Sequence, residues 1–165
     1  MDFESLSDLY VHELRDLYSA EKQIQRILPK VARCTQSPAL KQAINRHLDE
    51  TRMHITRLED IFERMGKSTR SAKCRGIEGI IEEAEAWLDE DANHEVMDAG
   101  IIAALQRIEH YEIAGYGCVR TYAHLLKLPE DESLLAESLE EERDTDKTLS
   151  LLAKEINFKA REVVA

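Results

Sequence analysis

The sequence predicts an all-α fold: four long helices in two antiparallel hairpins, joined by a long crossover that carries a short extra helix. Three observations predict it. Apolar residues recur at spacings of three and four over four long stretches, the period of a helix buried on one side. Glycine and proline are scarce, six and three in 165 residues, and several stand where such a helix would begin or end. The first and second stretches, and the third and fourth, are separated by only a few residues, which makes each pair a helical hairpin.

The first helix is expected over Leu6–Cys34, with Ser5 and Asp8 forming a capping box. Its inward stripe is Tyr10, Leu14, Leu17, Glu21, Ile24, Leu28 and Val31. Pro29 is expected to kink its last turn. Ser37 and Pro38 supply an N-cap and a first-turn proline for the second helix, Pro38–Met65, which Gly66 ends. Its stripe is Ile44, Leu48, Thr51, Ile55, Leu58, Phe62 and Met65. The crossover opens with the polar run KSTRSAKCR, then gives GIEGIIEEAEAWLDE, a short amphipathic helix with the single tryptophan. The third long helix, Asn93–Lys127, is apolar around much of its circumference and should be the most buried; Gly115 and Gly117 invite close packing there. The fourth, Glu130–Phe158, follows Pro129 and carries Leu135, Leu139, Glu142, Leu149, Leu152 and Ile156. A crossover long enough to return along a helix of about 40 Å makes the arrangement ferritin-like, a single domain over the whole chain.

The bulk numbers exclude several functions. A net charge of −11 argues against a basic surface for nucleic acid or anionic membrane. No apolar run approaches the ~18 residues of a membrane span. The start, MDFESLSDLY, lacks the basic and apolar regions of a signal peptide, so a cytoplasmic protein is expected. Cys34, Cys74 and Cys118 form no CxxC and are expected to be reduced, partly buried thiols.

Carboxylates carry the chemical signal. Glu21, Glu50, Glu112 and Glu142 lie near the midpoints of the four long helices, on or beside the apolar stripes. In antiparallel hairpins midpoints meet at one level, and charge in a bundle core is costly unless paired or bound to metal. Glu109 lies at the edge of the third helix's apolar arc, and Asp146 one turn beyond Glu142. His54 follows Glu50 by four residues, which can bring both to one side. Glu21, Glu50, His54, Glu109, Glu112, Glu142 and Asp146 are therefore the candidate ligands of two ions, iron or manganese, the metals that suit carboxylate and imidazole. The usual Glu-x-x-His pattern is incomplete, because Met53 and Thr145 stand where histidines are expected. His47 and His54 each admit two readings, interior histidine or ligand; His110 faces away from the core, and Tyr18, Tyr111 and Tyr116 are expected to be packing residues.

The runs DLYSAEKQ (Asp16 to Gln23), HLDET (His47 to Thr51), KCRGIEGIIEEA (Lys73 to Ala84), EHYEIAGYG (Glu109 to Gly117) and EEERDTDKTL (Glu140 to Leu149) resemble the YciE/YciF family of bacterial stress proteins, YciF type. The runs span nearly the whole chain in family order. The resemblance implies a ferritin-like bundle, a homodimer and an association with stress responses, but no particular reaction. The chain is more distantly similar to rubrerythrins and bacterioferritins, whose metal pattern maps onto Glu21, Glu50, Glu109 or Glu112, and Glu142, with its histidines falling on Met53 and Thr145. Two functions follow as expectations. One is an oxidative-stress protein using two metal ions on oxygen or peroxide. The other is a non-enzymatic, dimerising or partner-binding stress protein with a metal-free acidic cluster. Trp87, Ile80, Ile81 and Leu88 are expected to be left over for the dimer interface.

Overall fold

The computed structural model describes residues 3–70 and 72–163; Ser71, in the polar run of the crossover, lies outside them. Five helices follow in order: α1 (Leu6–Cys34), α2 (Pro38–Arg64), α3 (Arg75–Leu88), α4 (His94–Leu125) and α5 (Pro129–Glu162). Each expected helix forms. α1 has the expected bounds and runs uninterrupted through Pro29. α5 continues past Phe158 to Glu162, where Glu155 and Lys159 pair one turn apart.

The ends follow from local chemistry. Ser5 Oγ accepts the Asp8 amide at 3.2 Å and donates to the Asp8 carboxylate at 2.6 Å. Ser37 Oγ accepts the Leu40 amide, with Pro38 in the first turn. α2 ends in a Schellman turn: Gly66 adopts φ +61°, its amide donates to Glu63, and the Lys67 amide donates to Phe62. α4 ends in the same way with Lys127 at φ 59°, a left-handed conformation that costs a side-chain-bearing residue roughly 1–2 kcal/mol.

α1 packs on α2, α4 on α5, and α2 on α5, while α3 lies across α1 and α4. The crossover helix is held by close fits. A Cβ at Gly100 would stand 1.9 Å from the Trp87 indole nitrogen, which donates to the Met97 carbonyl. Trp87, Ile80, Ile81 and Leu88 are thus packed against the core rather than left over, and each is only partly exposed. Gly115 does admit a close neighbour, Leu17, whereas Gly117 faces open space. The cysteines are free, but unevenly placed: Cys74 is buried, Cys34 intermediate and Cys118 exposed.

The core is divided. One apolar half contains Ile24, Leu28, Leu40, Ile44, Ile101, Leu105 and Leu149; the other contains Leu14, Leu17, Leu58, Phe62, Tyr116, Val119 and Leu139. Along every long helix the break falls at the same level. It holds Glu21 in α1, His47, Thr51 and His54 in α2, Glu109 and Glu112 in α4, and Glu142 in α5, all buried.

Candidate metal centre

The polar layer has two foci. His47, Glu109, Glu112 and Glu142 offer ligand atoms that all lie within 4.8 Å of one another, as do Glu21, His54 and Glu142. That spread is close to what donors around one divalent ion require, with bonds of about 2.0–2.2 Å. Glu142 belongs to both groups and turns one oxygen to each: Oε1 lies 2.8 Å from His54 Nδ1, and Oε2 lies 3.8 Å from His47 Nδ1.

The remaining approaches define the layer. His54 Nδ1 is 3.2 Å from Glu21 Oε1. His47 Nδ1 is 3.4 Å from Glu109, and its Nε2 is 4.0 Å from Glu112. Tyr116 donates its hydroxyl to Glu21 at 2.5 Å. Most of these atoms converge without satisfying each other. Eleven buried side-chain polar atoms lack a hydrogen-bond partner among the described residues; ten belong to Glu21, His47, His54, Glu109, Glu112 and Glu142, and the other is Thr51 Oγ1. Each such orphan costs about 1–3 kcal/mol, more when charged. A soluble protein core carries few. A cation would satisfy nitrogens and carboxylate oxygens at once, so the buried His and Glu residues present could hold a metal ion.

The electrostatics agree. Burial, reinforced by the Glu142 carboxylate, pushes Glu109 and Glu112 well above the ordinary glutamate range. Burial opposes a charge on His54, yet Glu21, Glu141 and Glu142 outweigh it and raise the imidazole well above its usual value. Burial also opposes ionisation of Glu142, but His54 and His47 hold it below the usual range.

An outer contact orients one imidazole. His54 Nε2 sits 2.7 Å from Glu141 Oε2. An Nε2–H bonded there leaves the Nδ1 lone pair directed into the layer, the tautomer that metal-binding histidines adopt. Arg57 holds Glu141 through both guanidinium amines and reaches Ser138 and Glu137 as well. Together His54 and Arg57 keep the Glu141 carboxyl down at about 2 against its partial burial.

Of the seven residues singled out from sequence, the structure brings Glu21, His54, Glu109, Glu112 and Glu142 together. Glu50 stands outside: its carboxylate accepts from Thr145 at 3.2 Å, pairs with Arg46 at 3.5 Å and is partly exposed. On α2 it lies roughly 60° around the helix from His47, enough to turn it into the α2–α5 seam. Asp146 also stands outside, accepting from Gln106 and pairing with the exposed His110. His47 is the addition. Both imidazoles come from α2, seven residues apart and therefore within roughly 20° of one face, rather than one from each of two helices. Met53 points to solvent, 52% exposed, and Thr145 is buried against Glu50. The seven-residue spacing of His47 and His54 is the sequence signal that finds both; nothing distinguishes Glu141 from its neighbours Glu140 and Glu142 in the sequence alone.

Comparison with known proteins places the fold and the chain. Over 162 residues the chain is 43% identical to protein YciF of Escherichia coli, covering 97% of this chain and 98% of that one. The crystal structure of the E. coli stress protein YciF superposes with a TM-score of 0.92 at 42% identity, over 95% of this chain and 99% of the other. YcfI of Rhodopseudomonas palustris superposes with a TM-score of 0.87 at 37% identity, over 90% and 95%. A Xanthomonas campestris protein shares the fold, with a TM-score of 0.75 at 21% identity over 95% and 97%. The family described as a domain of unknown function, DUF892, matches residues 5–161, and the chain belongs to that family and is of the YciF type.

Proposed function

We propose that this protein is a ferritin-like stress protein that binds two divalent ions, iron or manganese, in the polar layer between its two apolar half-cores. The observation that carries the reading is the two buried groups that share Glu142, each with its ligand atoms within 4.8 Å of one another, in residues whose polar atoms mostly lack a hydrogen-bond partner. The donor set is four carboxylates and two imidazoles with no thiolate, which suits iron and manganese. His47, Glu109 and Glu112 would hold one ion, Glu21 and His54 the other, with Glu142 between them. Such a pair supplies redox chemistry on oxygen or peroxide when bound. The chain's own contribution is placement. Glu141 orients His54, Tyr116 orients Glu21, and the apolar half-cores on either side exclude water. The stress role is taken from the description of E. coli YciF as a stress protein. A homodimer completes the reading, with exposed Leu151 and Phe158 on α5 as apolar surface for the contact; sedimentation equilibrium at micromolar concentration reads it directly.

A second reading has one observation in its favour. The 2.8 Å approach of His54 to Glu142 is an ion pair that offsets part of the buried charge without metal, as a purely structural bundle would need. Metal analysis of protein purified without chelator or polyhistidine tag, followed by calorimetric titration with Mn²⁺ and anaerobic Fe²⁺, separates them. Two ions per chain, lost together in Glu142→Gln, support the metal centre. A wild-type protein that takes up neither metal leaves the structural reading.

A further inference from the structure

We propose that Glu50 is the loading residue of this centre: it captures a divalent cation at the α2–α5 seam and passes it inward, past Thr145, to the His47 group. The inference rests on the metal-centre reading and adds to it a transit site outside the resident ligands. Three observations carry it. First, Glu50 is the α2 carboxylate that bridges inside and outside. Its side chain is 23% exposed, while His47, one turn earlier, is 3% exposed and has neither ring nitrogen hydrogen-bonded. Second, the partners that hold Glu50 are replaceable ones. They are a neutral hydroxyl at 3.2 Å and a half-exposed guanidinium at 3.5 Å, rather than the multiple charged bonds that pin Glu141. A cation arriving from solvent can exchange for Arg46 without leaving a buried charge behind. Third, a cavity of about 10 Å³ lies behind Thr145, on the side of His47. It is lined by Thr145, whose hydroxyl touches Glu50, and by His47 and Glu109. Its other walls are apolar, including Ile44 and Leu149, and its size is near that of a single water. A dehydrating ion therefore finds Glu50 on the solvent side, the cavity next, and unpartnered imidazole and carboxylate atoms beyond.

Asp146 on the α4–α5 side is held differently. Gln106 donates to it at 3.2 Å and His110 lies 3.6 Å away, and none of the cavity's lining residues contacts it by hydrogen bond. On the seam with α2, Thr145 both bonds Glu50 and lines the cavity that His47 and Glu109 share.

The test is stopped-flow loading of metal-free protein with Co²⁺, read by its ligand-field absorption, beside equilibrium titration with the same ion. Glu50→Gln keeps the shape of the side chain and its contact with Thr145. It is expected to slow loading by about tenfold or more and to flatten the dependence of the rate on ionic strength, as removal of a steering charge does. Stoichiometry stays at two and affinity within about threefold, since removing a transit site slows release and uptake alike. Glu50→Asp, which restores charge at the mouth, recovers part of the rate. Three results overturn the proposal. Unchanged loading in Glu50→Gln removes the transit role while leaving the metal centre intact. Loss of one ion or a large fall in affinity makes Glu50 a resident ligand instead. A wild-type protein that binds no Co²⁺, Mn²⁺ or Fe²⁺ removes the centre and the transit site together.

Discussion

Glu142 is the hinge of the metal-centre reading, and its removal gives the sharpest prediction. At free metal a hundredfold above the dissociation constant, each ion adds about 2.7 kcal/mol to folding stability, so two add about 5.4. For 165 residues, an unfolding entropy of about 2.1 cal/mol/K per residue gives about 0.35 kcal/mol/K. Wild-type protein is therefore expected to melt about 15 °C higher with saturating Mn²⁺ than in chelator. Glu142→Gln substitutes a neutral amide in both foci and should abolish the shift. Glu21→Gln touches one focus and should leave about half, near 8 °C. Glu155→Gln, an exposed position on the same helix as Glu142, should keep all of it. Differential scanning fluorimetry with and without metal cancels what each substitution does to the metal-free fold. A Glu142→Gln protein that retains half or more of the shift refutes the shared position of Glu142. Equal losses in Glu142→Gln and Glu21→Gln refute the division into two foci.

Glu141→Ala is expected to weaken metal binding by about 10- to 100-fold through loss of the His54 orientation; nitrogen NMR of the imidazole should show the tautomer released, and an unmoved tautomer would remove Glu141 from the centre. In chelator, stability should fall as pH rises above the ordinary glutamate value of 4.5. Glu109 and Glu112, raised by burial, and His54, raised from 6.5 by its carboxylate neighbours despite burial, hold protons in the folded state that the unfolded chain has released. Glu141 and Glu142, both lowered, add stability that is lost only as pH falls below that value. Urea unfolding between about pH 5 and 8 reads the slope, and a rise in stability with pH would contradict the buried protonated carboxyls. Gly100→Ala should cost about 1–3 kcal/mol, because Trp87 lies where the new methyl must go; unchanged stability and tryptophan emission would mean that α3 docks without that contact.

What the sequence determined was one-dimensional. Caps, glycine stops and apolar periods act within a turn or two of chain, so Ser5, Ser37 and Gly66 placed their helix ends without reference to any neighbour. Depth was legible within each hairpin: a fixed rise per residue and a short loop bring Glu21 level with the middle of α2, and Glu112 level with Glu142, while the packing of one hairpin on the other sets the common layer. Facing was legible in part, since 100° per residue puts His47 and His54 within the α2 stripe and Glu50 at its edge; what each edge residue meets was decided by tertiary contact. Glu50 and His47 share a helix and a level, yet a rotation of roughly 60° sends one to the α2–α5 seam and the other to the interior. Which neighbour takes each group, Thr145 for Glu50 and Glu141 for His54, depends on how α5 lies against α2. No pattern within either helix contains that information. The two oxygens of Glu142 turned to different foci exist only once four helices have closed around a layer that none of them could bury alone.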